Sequence, residues 1–102
     1  MSECGEILVE IDRDFLPVVP GYLENRCSEC TLIPELLDGG RFDEIRVLGH
    51  RMKGSGGSYG FDEISEIGEE LESAALHCDA TRIRLAIDCL QRYLDSVTVA
   101  YV

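Results

Sequence analysis

The chain has 102 residues and a formal net charge of −11, from 9 Lys+Arg against 20 Asp+Glu. Length and even composition predict one domain, residues 1–102, with a single modest core. The acidic balance argues against nucleic acid and against anionic membrane surfaces as partners. No apolar run approaches the roughly 18 residues of a membrane helix, and the acidic start Met1–Glu6 lacks the features of a secretion signal. A cytoplasmic monomer is the expectation.

Residues 6–16 mix a short extended run with the turn-like Asp12-Arg13-Asp14, and an irregular or short helical lead-in is expected there. Pro20 suits the first turn of a helix, where its missing N–H is not needed. Leu23, Cys27, Cys30, Ile33 and Leu37 then recur at helical spacing, with Pro34 expected to kink or shorten the helix before Asp38-Gly39-Gly40 ends it. A second helix is predicted from about Arg41 to Tyr59 and a third from about Asp62 to His77. The third carries Ile64, Ile67, Leu71, Ala74, Ala75 and Cys78 on one stripe. Asp79 is an expected N-cap for a fourth helix bearing Ile83, Ile87, Leu90, Leu94 and Val97. The tail from Thr98 is left unassigned. The pattern predicts an all-α fold, an antiparallel four-helix bundle with a short irregular N-terminal lead-in.

The five cysteines, Cys4, Cys27, Cys30, Cys78 and Cys89, are an odd set and a poor disulfide framework. Cys27-Ser-Glu-Cys30 is a lone CxxC. Zinc would want a second pair or two histidines, and a thiol redox site would want a preceding strand. Buried apolar thiols on helix faces are the simpler expectation. No metal and no cofactor is predicted for the chain.

The informative stretch is Ile45–Phe61, IRVLGHRMKGSGGSYGF. It has no acidic residue in a chain with twenty, and it holds Arg46, His50, Arg51, Lys53 and five glycines. Each glycine inside a helix costs about 1 kcal/mol relative to alanine, so packing alone is a weak reason for them. At about 100° per residue, Phe42, Ile45, Leu48, Met52 and Tyr59 fall within an arc of about 120°, the core face. Gly49 and Gly56 lie at its edge, where a neighbouring helix could come close. His50 lies roughly 150° from the centre of that arc, on the solvent side. Arg46, Gly54 and Gly57 lie within about 40° of it and Lys53 about 60° away. An exposed neutral imidazole is a nucleophile. Glycines one and two turns on admit another protein's loop, and Lys53 is within reach of a dianion formed on the ring. His77, at the end of the third helix, is read as structural.

Two other motifs fail on context. Gly56-Gly57-Ser58-Tyr59-Gly60 fits the nucleophile-elbow pattern, but that needs a strand before it and a large sheet below it. In Lys53-Gly54-Ser55 the lysine is on the wrong side for a phosphate-binding loop.

His50-Arg-Met-Lys53-Gly54-Ser55-Gly56-Gly57-Ser58-Tyr59-Gly60-Phe61 resembles the signature of histidine-containing phosphotransfer (HPt) domains: His-x-x-Lys-Gly, a small-residue run, then a distal Gly. The resemblance covers nearly the whole chain. It extends to the phosphoacceptor domain of chemotaxis kinases, where Gly-Phe likewise follows. It implies that His50 is the phosphoacceptor, Lys53 its charge partner and Gly54 the clearance residue. Arg46 and Gly57 are added from the helical wheel as partner-facing positions. The implied partners are response-regulator receiver domains and a hybrid histidine kinase, and any magnesium ion would belong to the receiver. The alternative is a helical adaptor that binds receivers or receptors without phosphotransfer.

Overall fold

The computed structural model describes residues 6–102; Cys4 lies outside them. The elements in order are β1 (Ile7–Ile11), a 3-10 turn (Arg13–Phe15), α1 (Val19–Asp38), α2 (Phe42–Tyr59), α3 (Asp62–Leu76), α4 (Ala80–Ser96) and β2 (Val97–Tyr101). The four helices fall within a few residues of the predicted spans. Each packs against two others, in the order α1–α2–α3–α4 and back to α1. The core holds Val19, Ile33, Ile45, Met52, Phe61, Ile64, Leu71, Ile83 and Leu90, all buried. No helix among the described residues is long and apolar enough to cross a membrane.

The two ends of the chain correct the all-α expectation. The lead-in is not irregular: β1 pairs in parallel with β2, in register from Ile7 opposite Val97 to Ile11 opposite Tyr101. Ile7, Val9 and Ile11 turn toward the core while Leu8 and Glu10 stay exposed, a period of two. The backbone continues the ladder, Val102 N–H donating to Ile11 C=O at 2.9 Å and Arg13 N–H to Val102 C=O at 3.1 Å. The tail of β-branched residues is thus half of a two-stranded sheet.

Helix ends follow local chemistry. The Asp79 carboxylate accepts from Arg82 N–H and caps α4, as predicted. Pro34 does not terminate α1, which runs unbroken to Asp38. Ile33 and Leu37 flank the proline and are both buried, so packing of the last turn outweighs its lost hydrogen bond. Cys78 leaves the predicted stripe: its backbone takes φ +53° after α3 has ended, and its side chain is exposed. Cys27 is also exposed, not buried. Cys30 is half-buried, and burial pushes its thiol up to about 11, away from the thiolate needed for metal ligation or exchange.

The tightest contact is between α2 and α3. They run antiparallel, with Gly49 opposite Glu72, Lys53 opposite Gly68 and Gly56 opposite Ser65. A Cβ added at Gly68 would come within 2.4 Å of Lys53 N, and one at Gly56 within 2.5 Å of Ser65 N. At Gly49 it would meet Glu72 N at 2.6 Å. These clashes are with backbone, which cannot turn aside. Gly49 and Gly56 therefore do what their wheel positions suggest, and Gly68 is the matching gap on α3.

Because only movement of a whole helix relieves such a clash, Gly68→Ala should destabilise the fold by about 1–3 kcal/mol, the usual range for overpacking. Urea unfolding of the two proteins measures this, and equal midpoints would contradict the backbone-to-backbone packing.

Candidate functional site

His50 sits in the middle of α2, on the side away from Ile45 and Met52. Its side chain is 69% exposed. The Nδ1 atom lies 2.9 Å from Glu72 Oε2 on α3. A carboxylate only accepts hydrogen bonds, so the Nδ1 proton is donated to Glu72, and in the neutral ring the lone pair is on Nε2. Nε2 has no partner among the described residues. The ring is thus oriented from behind by Glu72, with its nucleophilic nitrogen open to solvent.

Glu72 serves two groups. Its Oε1 lies 3.7 Å from Lys53 Nζ, and Glu69 Oε2 lies 4.0 Å from the same ammonium. Both separations exceed a hydrogen bond, and Lys53 is 45% exposed. Exposed pairs of this kind contribute about 0–1 kcal/mol, so the lysine is held loosely. The positive island read from α2 is therefore local to that helix, because α3 sets two carboxylates beside it. Sequence reading missed Glu72. Among the five glutamates of α3, only its place one turn after Gly68 sets it apart.

The other predicted positions divide. Gly54 is exposed, and an added Cβ there would meet nothing within 4 Å. At Gly57 it would meet only Ser65 Oγ, at 3.9 Å. Both leave open surface on the turns after His50. Arg46 is half-buried and makes no ion pair among the described residues. Arg51 is exposed and lies near Glu29 on α1, not beside Lys53. Glu29 is itself raised by burial, a rise opposed by the paired Arg26. His77 is the C-cap of α3, its Nδ1 bonded to Ser73 C=O at 2.8 Å, in keeping with a structural part.

The glycine turn after Lys53 is braced by hydroxyls. Ser65 Oγ donates to Lys53 C=O at 2.6 Å, Tyr22 Oη and Ser55 Oγ are hydrogen-bonded to each other at 2.9 Å, and Ser58 Oγ donates to Gly54 C=O at 3.0 Å. Beyond it Gly60 closes α2 at φ +92°, a left-handed cap that other residues adopt only with strain.

His50 is thus an exposed imidazole in mid-helix, oriented through Nδ1 by a neighbouring helix and flanked by a lysine and bare glycines. The chain matches the family model of the Hpt domain over residues 2–98, nearly its whole length, and belongs to that family. At the level of the family this means histidine phosphotransfer in two-component phosphorelays. No curated protein and no solved structure matches the chain.

If Glu72 fixes the tautomer, ¹⁵N NMR of the neutral ring should place the proton on Nδ1 of His50. In Glu72→Ala the two nitrogens should move toward a mixture of tautomers, while the signals of His77 stay put. Unmoved His50 signals would mean that the Glu72 contact does not orient the ring.

Proposed function

We propose that this protein is a phosphorelay intermediate that takes a phosphoryl group onto His50 from a receiver aspartyl-phosphate and passes it to a second receiver. The observation that carries the reading is the His50 ring, exposed and tied through Nδ1 to Glu72 with Nε2 unpartnered among the described residues. Nε2 attacks phosphorus in line. The N–P bond forms, the P–O bond to the aspartyl carboxylate breaks, and the carboxylate leaves with the electron pair. The Nδ1 proton stays in place, so the ring becomes cationic as the bond forms, and Glu72 is placed to stabilise that charge. Lys53 turns from Glu69 and Glu72 to the phosphoryl oxygens. Any magnesium ion belongs to the receiver and offsets charge on its side of the transfer.

In this reading the domain spans residues 1–102 as an antiparallel four-helix bundle, a cytoplasmic monomer. Gly54 and Gly57 leave room for receiver loops beside the ring. Arg46 borders the same face one turn before His50 and adds positive charge to it. The donor is a receiver such as that of a hybrid histidine kinase. No nucleotide site is needed, because the phosphoryl group arrives already activated.

Incubation with a phosphorylated receiver should give one modification, acid-labile and base-stable. His50→Gln should abolish it, and His77→Gln should leave it intact. Label retained on the His50→Gln protein would sink the assignment.

Gly54 separates docking from folding. Its open surroundings mean that a side chain meets only solvent in the free protein, so Gly54→Leu should melt at the same temperature or higher, by up to about 1 kcal/mol of added stability. In the complex the same side chain fills space beside the imidazole, and a displacement of about 1 Å there can slow transfer on the order of a hundredfold. Melting curves and single-turnover transfer on this variant test both halves. A Gly54→Leu protein that transfers at the unsubstituted rate would show that receivers approach from elsewhere.

A further inference from the structure

Three of the four residues that follow Lys53 are glycines, and glycine is the weakest helix former after proline. Two of them, Gly54 and Gly57, make almost no contact that could compensate, and yet α2 stays helical through Tyr59. Hydroxyls from both neighbouring helices meet this turn. From α3, Ser65 donates to the carbonyl of Lys53 itself at 2.6 Å. From α1, the buried Tyr22 bonds Ser55 at 2.9 Å. The Tyr22 ring has little freedom, being stacked on Phe61 at 5.9 Å with the Arg26 guanidinium 4.5 Å from its centre. The position of Ser65 is set by the same close approach that Gly56 permits.

We propose that Ser65 and Tyr22 are positioning residues, two staples that hold the glycine turn helical and so fix where Lys53 stands relative to His50. Neither touches the reacting atoms. Bare glycines keep the surface clear for a partner but leave the turn weak, and the two hydroxyls supply from behind the order that side chains on the turn would otherwise give. The part concerning Lys53 in transfer rests on the phosphotransfer reading; the staple itself does not.

The test uses the full chain with Ser65→Ala, Tyr22→Phe and the two combined. Amide hydrogen exchange of residues 54–58 should accelerate about fivefold or more in the combined variant, while amides in the middle of α3 and α4 keep their protection. Adding Gly54→Ala, which has open space and restores helix propensity, should slow that exchange again. Ser65→Thr keeps a hydroxyl and should exchange as the unsubstituted protein does. In single-turnover transfer from a phosphorylated receiver, Ser65→Ala should lower the saturating rate severalfold without moving the receiver concentration that gives half of it. Unchanged exchange at residues 54–58, or an equal loss of protection in every helix, overturns the staple. Faster local exchange with an unchanged saturating rate overturns the positioning of Lys53. If the unsubstituted protein accepts no phosphoryl group while its exchange behaves as expected, the function reading fails and the staple stands.

Discussion

Glu72 reaches the His50 ring only because α2 and α3 lie almost backbone to backbone, and they can do so only where side chains are missing on both. Gly49 and Gly56 open α2, and Gly68 opens α3 between them. With ordinary residues at these positions the helix axes would stand at the usual 8–10 Å or so, set by side chains. A carboxylate on α3 would then meet the imidazole only through an extended, disordered side chain. The same approach lets the short hydroxyl of Ser65 find a backbone carbonyl on α2 at 2.6 Å. Site geometry and helix packing are thus one constraint, and each glycine that loosens α2 as a helix tightens α2 as a neighbour.

Glycine plays a second, opposite part on the same helix. Gly54 and Gly57 face outward and touch almost nothing, so they make no use of close packing. A helix with both kinds of glycine would fray if its end were free, and here it is not. Tyr59 packs against Tyr22 at 4.7 Å and edge-on to Phe15 at 5.7 Å, and Tyr22 stacks on Phe61. A Cβ at Gly60 would meet Ile11 of β1 at 2.8 Å, so the sheet that joins the chain ends closes directly over the end of α2. The aromatic cluster and the strand pair anchor the far side of the glycine turn, roughly two and a half turns of helix from His50.

Much of this was legible in the sequence because it is periodic. Apolar spacing marks all four helices, and the wheel of α2 separates Ile45 and Met52, both buried, from His50, exposed. What was not legible depends on pairs distant in the chain. Ile7–Ile11 reads as a short extended run and Val97 as the end of the fourth helix, and nothing local says that two segments ninety residues apart should pair. Glu72 is one of several glutamates on α3, and only the tertiary approach selects it. Gly68 carries a signal of its own: a lone glycine inside an amphipathic helix asks for a close neighbour. The cysteines misled in another way. Cys27 and Cys78 have apolar spacing but are exposed, and the turn at Cys78 carries it off the stripe.

The electrostatics at His50 are more balanced than α2 alone implies. Lys53 stands between Glu69 and Glu72, at distances where its charge is shared but not locked by a hydrogen bond. In the proposed transfer, a dianion arriving at Nε2 competes with two carboxylates for one ammonium. The competition is uneven. A phosphoryl group offers about two negative charges and three strong acceptor oxygens, against carboxylates that hold the lysine beyond hydrogen-bond distance in a solvent-exposed setting. Releasing Lys53 forfeits little, and Glu72 keeps its bond to Nδ1 while doing so, because its two oxygens serve the two groups separately. Under that proposal the division lets a single carboxylate hold the ring and give up the lysine in the same step. A protein with a net charge of −11 has no general attraction for anions, so in the proposed transfer the affinity for a phosphoryl group comes from this local exchange and from the partner that brings the group in.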